Sequence, residues 1–261
     1  MTRLDAAGVI AASNAWTWYP DTATVVETDD YLLVRFPDFF NEPLVLDRLT
    51  TDRPVALVLG EVLQRAREFE LDRILIRVKP DAPAGLEELV VAGGGRLHET
   101  VDILALSLAA APAFDPPADV EVRWRVDQAT AADAARVFRD VWKEGEELSA
   151  ERLAALGEEG ARDLPAGRGG VAVAYLDGRP VGAAGVSPAD GAARLWGAAV
   201  VEGARGRGAY RALLDARTAY GREHGATMAL VKGKVDTSGP ILRRAGFEVF
   251  GQERSYRLPL D

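Results

Sequence analysis

Cysteine is absent from this 261-residue chain, which excludes disulfides, thiolate metal sites and a cysteine nucleophile. Histidine is almost absent. His98 and His224 are the only two, and their isolation suggests surface or helix-end roles rather than a triad or a metal set, so no metal is expected. No stretch reaches the roughly 20 apolar residues that a spanning helix requires. Met1 to Trp18 includes Asp5 and lacks the continuous apolar core of a secretory signal. A soluble, cytoplasmic protein with no membrane partner is the expectation. Positive charge is also in short supply: 31 Lys and Arg against 40 Asp and Glu leave a net charge of −9. That balance opposes general nucleic-acid binding, which rests on cationic neutralisation of phosphates, but it permits one local cationic pocket.

What the chain does have is apolar residues, 48% of the total, enough to bury a substantial core in one large domain or two small ones. Two are favoured by the segment Ala109 to Asp119, A-A-A-P-A-F-D-P-P-A-D, whose three prolines and two aspartates oppose helix and strand alike. The division adopted is 1–110, a linker at 111–119, and 120–261.

After the linker, Val120 to Val126 reads as a strand, and Thr130-Ala-Ala-Asp133 resembles a capping box starting a helix with Val137, Phe138, Val141 and Trp142 as its apolar stripe. A more acidic helix follows near Ser149 to Glu159. Two short apolar runs, Val171 to Leu176 and Pro180 to Val186, flank the hairpin signal Asp177-Gly178. A third run, Leu195 to Val201, leads to Arg205-Gly206-Arg207-Gly208-Ala209-Tyr210, beyond which Ala209 to Tyr220 is helix-periodic. Met228 to Lys232 reads as a strand, Pro240 to Ala245 as a short helix, and Phe247 to Leu258 as a final hairpin.

The first half repeats this order in outline. It offers a hairpin over Val25 to Phe36, an amphipathic helix from Val55 to Phe69, a strand at Ile74 to Val78, a helix near Leu86 to Val91 and a strand at Thr100 to Leu108. The halves also end alike, Leu86-Glu-Glu-Leu-Val-Val-Ala-Gly-Gly-Gly95 against Pro240-Ile-Leu-Arg-Arg-Ala-Gly-Phe247, which suggests a duplicated domain.

A strand entering a helix through small residues leaves backbone N–H groups converging at the positive end of a helix dipole. An anion is the natural occupant of the loop at Arg205, and a pyrophosphate fits best; a purely turn-shaping role for Gly206 and Gly208 stands beside that reading. Dinucleotide binding would want a third glycine where Arg211 stands, and a nucleotide-triphosphate loop would want Lys followed by Ser or Thr. The first half presents Asp52-Arg53-Pro54 at the equivalent place, with no glycine, one amide lost to proline and a carboxylate facing any anion. No phosphate site is expected there.

The second half resembles the GNAT superfamily of N-acetyltransferases. Arg205 and Gly208 match the superfamily's loop signature, Gln or Arg, two residues, Gly, one residue, then Gly or Ala. The order of elements from Val120 to Asp261 also matches, including a short helix ending in Gly246-Phe247. Tyr210 departs from the pattern at the sixth position. The fold class implied is α+β, two tandem GNAT-like domains of mixed sheet flanked by helices, the first degenerate.

The resemblance implies acetyl-coenzyme A as cosubstrate, lying between the strands Leu195 to Val201 and Met228 to Lys232. Its pantetheine arm would pair near Ala198, Ala199 and Val200, and its pyrophosphate would take amides of Arg207, Gly208, Ala209 and Tyr210. Arg205, Gly206 and Arg207 complete the loop, with Arg211 as a further charge. Lys232 and Lys234 are candidates for the ribose phosphate, although ordinary surface lysines explain them, and Ser238 either caps a helix or borders the pantetheine arm. The Val200 amide is the candidate oxyanion donor. Glu144, Glu146 and Glu147 are base candidates by location, in a stretch, Glu144 to Asp163, with seven acids and two arginines; a solvated helix face is the alternative. Relatives often carry a tyrosine acid four residues before the final Gly-Phe pair, where this chain has Leu242. Tyr256 is the remaining tyrosine in that region, with strand packing as the simpler account.

Acetyl transfer to a primary amine of a small, cationic molecule or a peptide N-terminus is therefore expected. A non-catalytic acyl-coenzyme A binding module is the alternative, and mycothiol synthases, also tandem GNAT proteins, keep that acceptor open. Oligomeric state stays open as well.

Overall fold

A computed structural model describes residues 4–111, 113–143 and 147–260. In chain order the first half contains α1 (Ala6–Asn14), β1 (Thr24–Glu27), β2 (Tyr31–Arg35), β3 (Leu44–Leu49), α2 (Val55–Arg67), β4 (Arg73–Val78), α3 (Leu86–Ala92) and β5 (Arg96–Ser107). The second contains β6 (Val120–Trp124), α4 (Gln128–Trp142), α5 (Ala150–Asp163), β7 (Gly170–Leu176), β8 (Arg179–Ala189), β9 (Ala192–Val200), α6 (Ala209–Glu223), β10 (Met228–Lys234), α7 (Ser238–Arg244) and β11 (Glu248–Pro259).

The chain forms two compact units that are discontinuous in sequence. The first is Ala6–Ile103 with Gly233–Pro240 and Val249–Asp261; the second is Leu104–Lys232 with Ile241–Glu248 and the described N-terminal residues 4–5. In the first unit the strand order is β1-β2-β3-β4-β11, followed by the N-terminal part of β5; in the second, the C-terminal part of β5 is followed by β10-β9-β8-β7-β6.

The expected final hairpin is instead the single strand β11, antiparallel to β4 over Arg254–Pro259. Gly251, the only glycine within β11, does not adopt the left-handed backbone that a tight turn needs. Tyr256 and Leu258 alternate into the apolar cluster with Leu46, Ile74 and Ile76, so burying that face favours an unbroken strand.

The first unit packs α2 on its sheet through Val58, Val62 and Ala66, all fully buried with Leu33, Leu46 and Ile76. Neither α1 nor β3 was legible in the sequence. α1 is mostly alanine and other small residues without clear amphipathicity, and β3 carries Asp47 and Arg48 within a strand of leucine and valine.

In the second unit α4 starts earlier than the sequence suggested. Asp127 is the N-cap: its carboxylate accepts from Thr130 N at 2.7 Å, and Thr130 Oγ1 accepts from Asp127 N at 3.3 Å. Thr130 is thus the fourth residue of the capping box, at N3, rather than its first. Asp133 instead accepts from Tyr175 Oη at 2.8 Å. Ser149 is the N-cap of α5, its hydroxyl accepting from Arg152 N at 3.2 Å. The segment read as a linker packs within the second unit through Phe114, which is buried with Leu106, Leu195 and Leu214.

The parallel endings of the halves recur in three dimensions. Gly95 N donates to Val90 O and Phe247 N to Leu242 O, each following a glycine at φ +93° or +95°. These are the same left-handed helix termination.

Candidate functional site

β10 and β9 run parallel but pair only over Met228↔Ala192, Ala229↔Ala193 and Leu230↔Arg194. Beyond that point the strands separate, and Leu195 to Val200 leave one edge of β9 without β10. On the other edge the register with β8 slips: Ala183 faces Ala199, while Gly185 faces Trp196. One residue of β8 therefore opposes two of β9, a bulge at Gly197 and Ala198. Gly197 has φ +62°, a conformation in which a β-carbon is strained.

The bulge and the separated strands decide where amides point. Val201 N donates to Val181 O at 2.9 Å, and antiparallel bonding alternates along a ladder, so the Val200 amide faces the edge that β10 has left. Ala198 is exposed, whereas Ala199 is buried against Ala134 and Val137 of α4.

The loop after β9 is a short 3-10 turn, Glu202–Ala204, then Arg205 to Gly208. Gly208 is the N-cap of α6 at φ +87°, with no side-chain cap, and the first intrahelical bond runs from Ala212 N to Gly208 O. The early amides of α6 thus lack helical partners, as at any helix start. Ala209 is buried, while Arg205, Gly206 and Arg207 are exposed. Arg207 lies 4.0 Å from Asp119 and 3.9 Å from Asp177, weak exposed pairs that a phosphate would outcompete. Arg211 and Glu202 are exposed.

Tyr210 turns inward. It packs against the cluster containing Leu195, Leu214 and Leu242, with the charge of Arg217 acting on its phenol. Arg217 is 1% exposed and donates through Nε to Leu213 O at 2.9 Å and through Nη1 to Gly185 O at 3.2 Å. Burial lowers its pKa to about 10, partly countered by Tyr210, and burial raises that of Tyr210. The departure from the signature is therefore a packing substitution, since the ring joins the apolar cluster beside the buried Arg217. Tyr210→Ala, which removes the packed ring, is expected to cost about 3 kcal/mol or more, the order seen for large-to-small changes in a core, measured by urea unfolding.

Other sequence candidates fall elsewhere. Leu242 is buried core. Tyr256 belongs to the first unit, where its hydroxyl donates to Glu87. Ser238 also belongs to that unit; it is the first residue of α7, and its hydroxyl accepts from Lys234 N at 2.9 Å, so it closes the end of β10 rather than standing ahead of a helix as its cap. Lys234 pairs with Glu99 at 2.6 Å. Glu147 is exposed, and Glu144 lies outside the described residues. His224 ends α6 as its C-cap, and His98 is exposed in β5. Among the described residues no acidic or histidine cluster is arranged to hold a metal, and no helix is long and apolar enough to cross a membrane.

The equivalent wedge in the first unit is closed. β3 and β4 pair in parallel at Val45↔Leu75 and Leu46↔Ile76 only. At the next residues Arg77 donates to Asp47, whose carboxylate also accepts from Lys79 Nζ at 2.9 Å and Thr17 Oγ1 at 3.0 Å. At the start of α2, Arg53 is bound to Asp30 at 2.8 Å and Glu61 at 2.5 Å.

The model of the acetyltransferase (GNAT) family matches residues 133–247, which hold the opened strand pair, the bulge and the glycine-capped helix. The chain thus contains a GNAT acetyltransferase domain, a family whose general chemistry is acetyl transfer from an acyl-coenzyme A. The fold is shared with a GCN5-related N-acetyltransferase from Kribbella flavida, 19% identical with TM-score 0.66, covering 99% of this chain and 97% of that one. It is shared also with a tandem GNAT protein from the clavulanic acid biosynthesis pathway, 16% identical with TM-score 0.64, covering 97% and 88%. A GCN5-related N-acetyltransferase from Sphaerobacter thermophilus is 18% identical with TM-score 0.61, covering 88% and 81%. No curated protein matches by sequence.

Proposed function

We propose that the protein is an acetyl-coenzyme A dependent N-acetyltransferase acting on a primary amine of a small, cationic acceptor. We read 1–110 and 120–261, with the segment 111–119 between them, as the two repeats of the sequence, each compact unit drawing strands from both, and the first repeat as the one without a phosphate loop. The observation that carries this reading is the three-residue β9–β10 pairing that opens beside the Gly197 bulge.

The residues present fit acetyl-coenzyme A. The unpaired edge of β9 offers backbone from Ala198 to Val200 to a pantetheine arm, and the start of α6, from Gly208 to Tyr210, offers amides and dipole to a pyrophosphate. Arg205, Gly206 and Arg207 flank it. In the reaction the neutral amine nitrogen bonds to the thioester carbonyl carbon, the C–S bond breaks, the nitrogen loses a proton and the thiolate gains one. The Val200 amide is the donor for the developing oxyanion. With leucine at 242, water carries the proton to sulfur, and acceleration comes chiefly from positioning. Glu144 and Glu147 are placed as bases acting through water and as attraction for a cation.

Two measurements test this. Thiol release from acetyl-coenzyme A across polyamines, aminoglycosides, amino acids and peptide N-termini should identify at least one amine acceptor; binding without turnover across the panel would instead support a non-catalytic acyl-coenzyme A module, the reading that Leu242 favours. Joint change of Glu144, Glu146 and Glu147 to glutamine should lower kcat/KM for cationic acceptors roughly three- to tenfold, with smaller losses at high salt. An unchanged rate would remove these residues from the site.

A further inference from the structure

Two tryptophans flank the bulge on the face of the sheet that α4 covers. Ala183 and Ala199 pack on Ala134 and Val137 of α4, while Ala184 and Val186 pack on the α6 side. Gly185 therefore opens toward the α4 face, and there the indole of Trp196 occupies the place of its missing side chain: a β-carbon on Gly185 would stand 2.2 Å from Trp196 Cε2 and 2.3 Å from Cζ2. Trp196 Nε1 donates to Ser187 Oγ at 3.0 Å. The ring is fixed, yet the residue is 39% exposed. Trp142, the last residue of α4, is 45% exposed and stacks on Phe138 with centroids 4.7 Å apart and planes 9° from parallel. Its Cη2 is 3.6 Å from where a side chain on Gly197 would begin.

Packing alone explains neither side chain. An exposed indole held by a glycine seat and a hydrogen bond, with a second overhanging the bulge glycine, leaves two oriented aromatic surfaces in water beside β9, the strand proposed to hold acetyl-coenzyme A. Such surfaces favour stacking with planar rings and attract a protonated amine to their faces. Polyhydroxylated or extended polar acceptors gain little from them.

Resting on the function proposed above, we infer that Trp142 and Trp196 form the acceptor subsite and select an arylalkylamine, a primary amine carried on a short chain from an aromatic ring. The test compares 2-phenylethylamine with spermidine in the full-length protein, with acetyl-coenzyme A affinity measured separately by calorimetry. Wild type should favour 2-phenylethylamine in kcat/KM. Trp142→Ala and Trp196→Ala should each reduce that value on the order of tenfold or more, mainly through KM. The same changes should alter spermidine turnover and cofactor affinity less than about threefold, and Trp142→Phe should recover most of the loss because a stacking ring remains. Equal losses for both amines, or none, with cofactor affinity intact, would overturn this inference and leave the proposed function standing. Failure of the wild-type protein to bind acetyl-coenzyme A would overturn both.

Discussion

Asp47→Leu is expected to destabilise the protein by about 3–5 kcal/mol, the range for breaking a buried ion pair by removing one partner. The change strands Lys79, whose side chain is 3% exposed and whose ammonium would keep only Asn14 O, at 3.2 Å. Arg77 suffers less, being one-third exposed and 4.0 Å from Glu253. Asp47→Leu combined with Lys79→Met should recover most of the loss, because a buried pair exchanged for apolar groups is often neutral. Thermal unfolding checks both, with a midpoint drop on the order of 10 °C for the single variant. Burial raises the Asp47 pKa, but the charges of Arg77 and Lys79 and hydrogen bonds from Lys79 and Thr17 outweigh it, so the group lies below the usual aspartate range. Its contribution is therefore present above that range and lost as pH falls through the lowered value. The double variant should lack this acid-dependent loss, and a single variant as stable as wild type would show that the pair is inert.

The second large effect is on cofactor binding. Gly208→Val should weaken acetyl-coenzyme A affinity by about tenfold or more. A non-glycine residue in the left-handed region costs roughly 1–2 kcal/mol, and the new β-carbon would lie 2.4 Å from Pro117 Cγ and 2.5 Å from its Cδ. The helix start must shift, and with it the amides proposed to hold the pyrophosphate. Gly206→Ala is the companion: its φ is +76°, but nothing stands within 4 Å of the added carbon, so a smaller loss is expected. Calorimetric titration with coenzyme A reads both. Wild-type affinity in Gly208→Val, with the fold retained, would move the pyrophosphate away from this loop.

Several features were legible because they are local. Asp177-Gly178 announced the β7–β8 hairpin, and the glycines of the Arg205 loop marked the start of α6. The endings at Gly95 and Phe247 are one helix termination written twice. Asp52-Arg53-Pro54 disclosed that the first half lacks a glycine loop. These signals lie within a few residues, where backbone preference decides.

Other features depended on partners distant in the chain. The final hairpin was misjudged because β11 is held straight by β4, more than 170 residues earlier, and no local pattern records that pairing. Asp127 displaced Thr130 as cap because side-chain geometry, rather than residue type, chooses between adjacent candidates. Trp142 read as one more apolar residue of a helix stripe, and Trp196 as a strand residue. Only the Gly197 bulge, the seat at Gly185 and the end of α4 bring those indoles to the same stretch of β9. Local residue pattern alone specifies a duplicated α+β chain with one glycine loop leading into a helix. Tertiary structure decided that β9 and β10 part after three pairs while Asp47, Arg77 and Lys79 close the equivalent gap, because strand separation and buried charge pairing are settled by neighbours that sequence distance conceals.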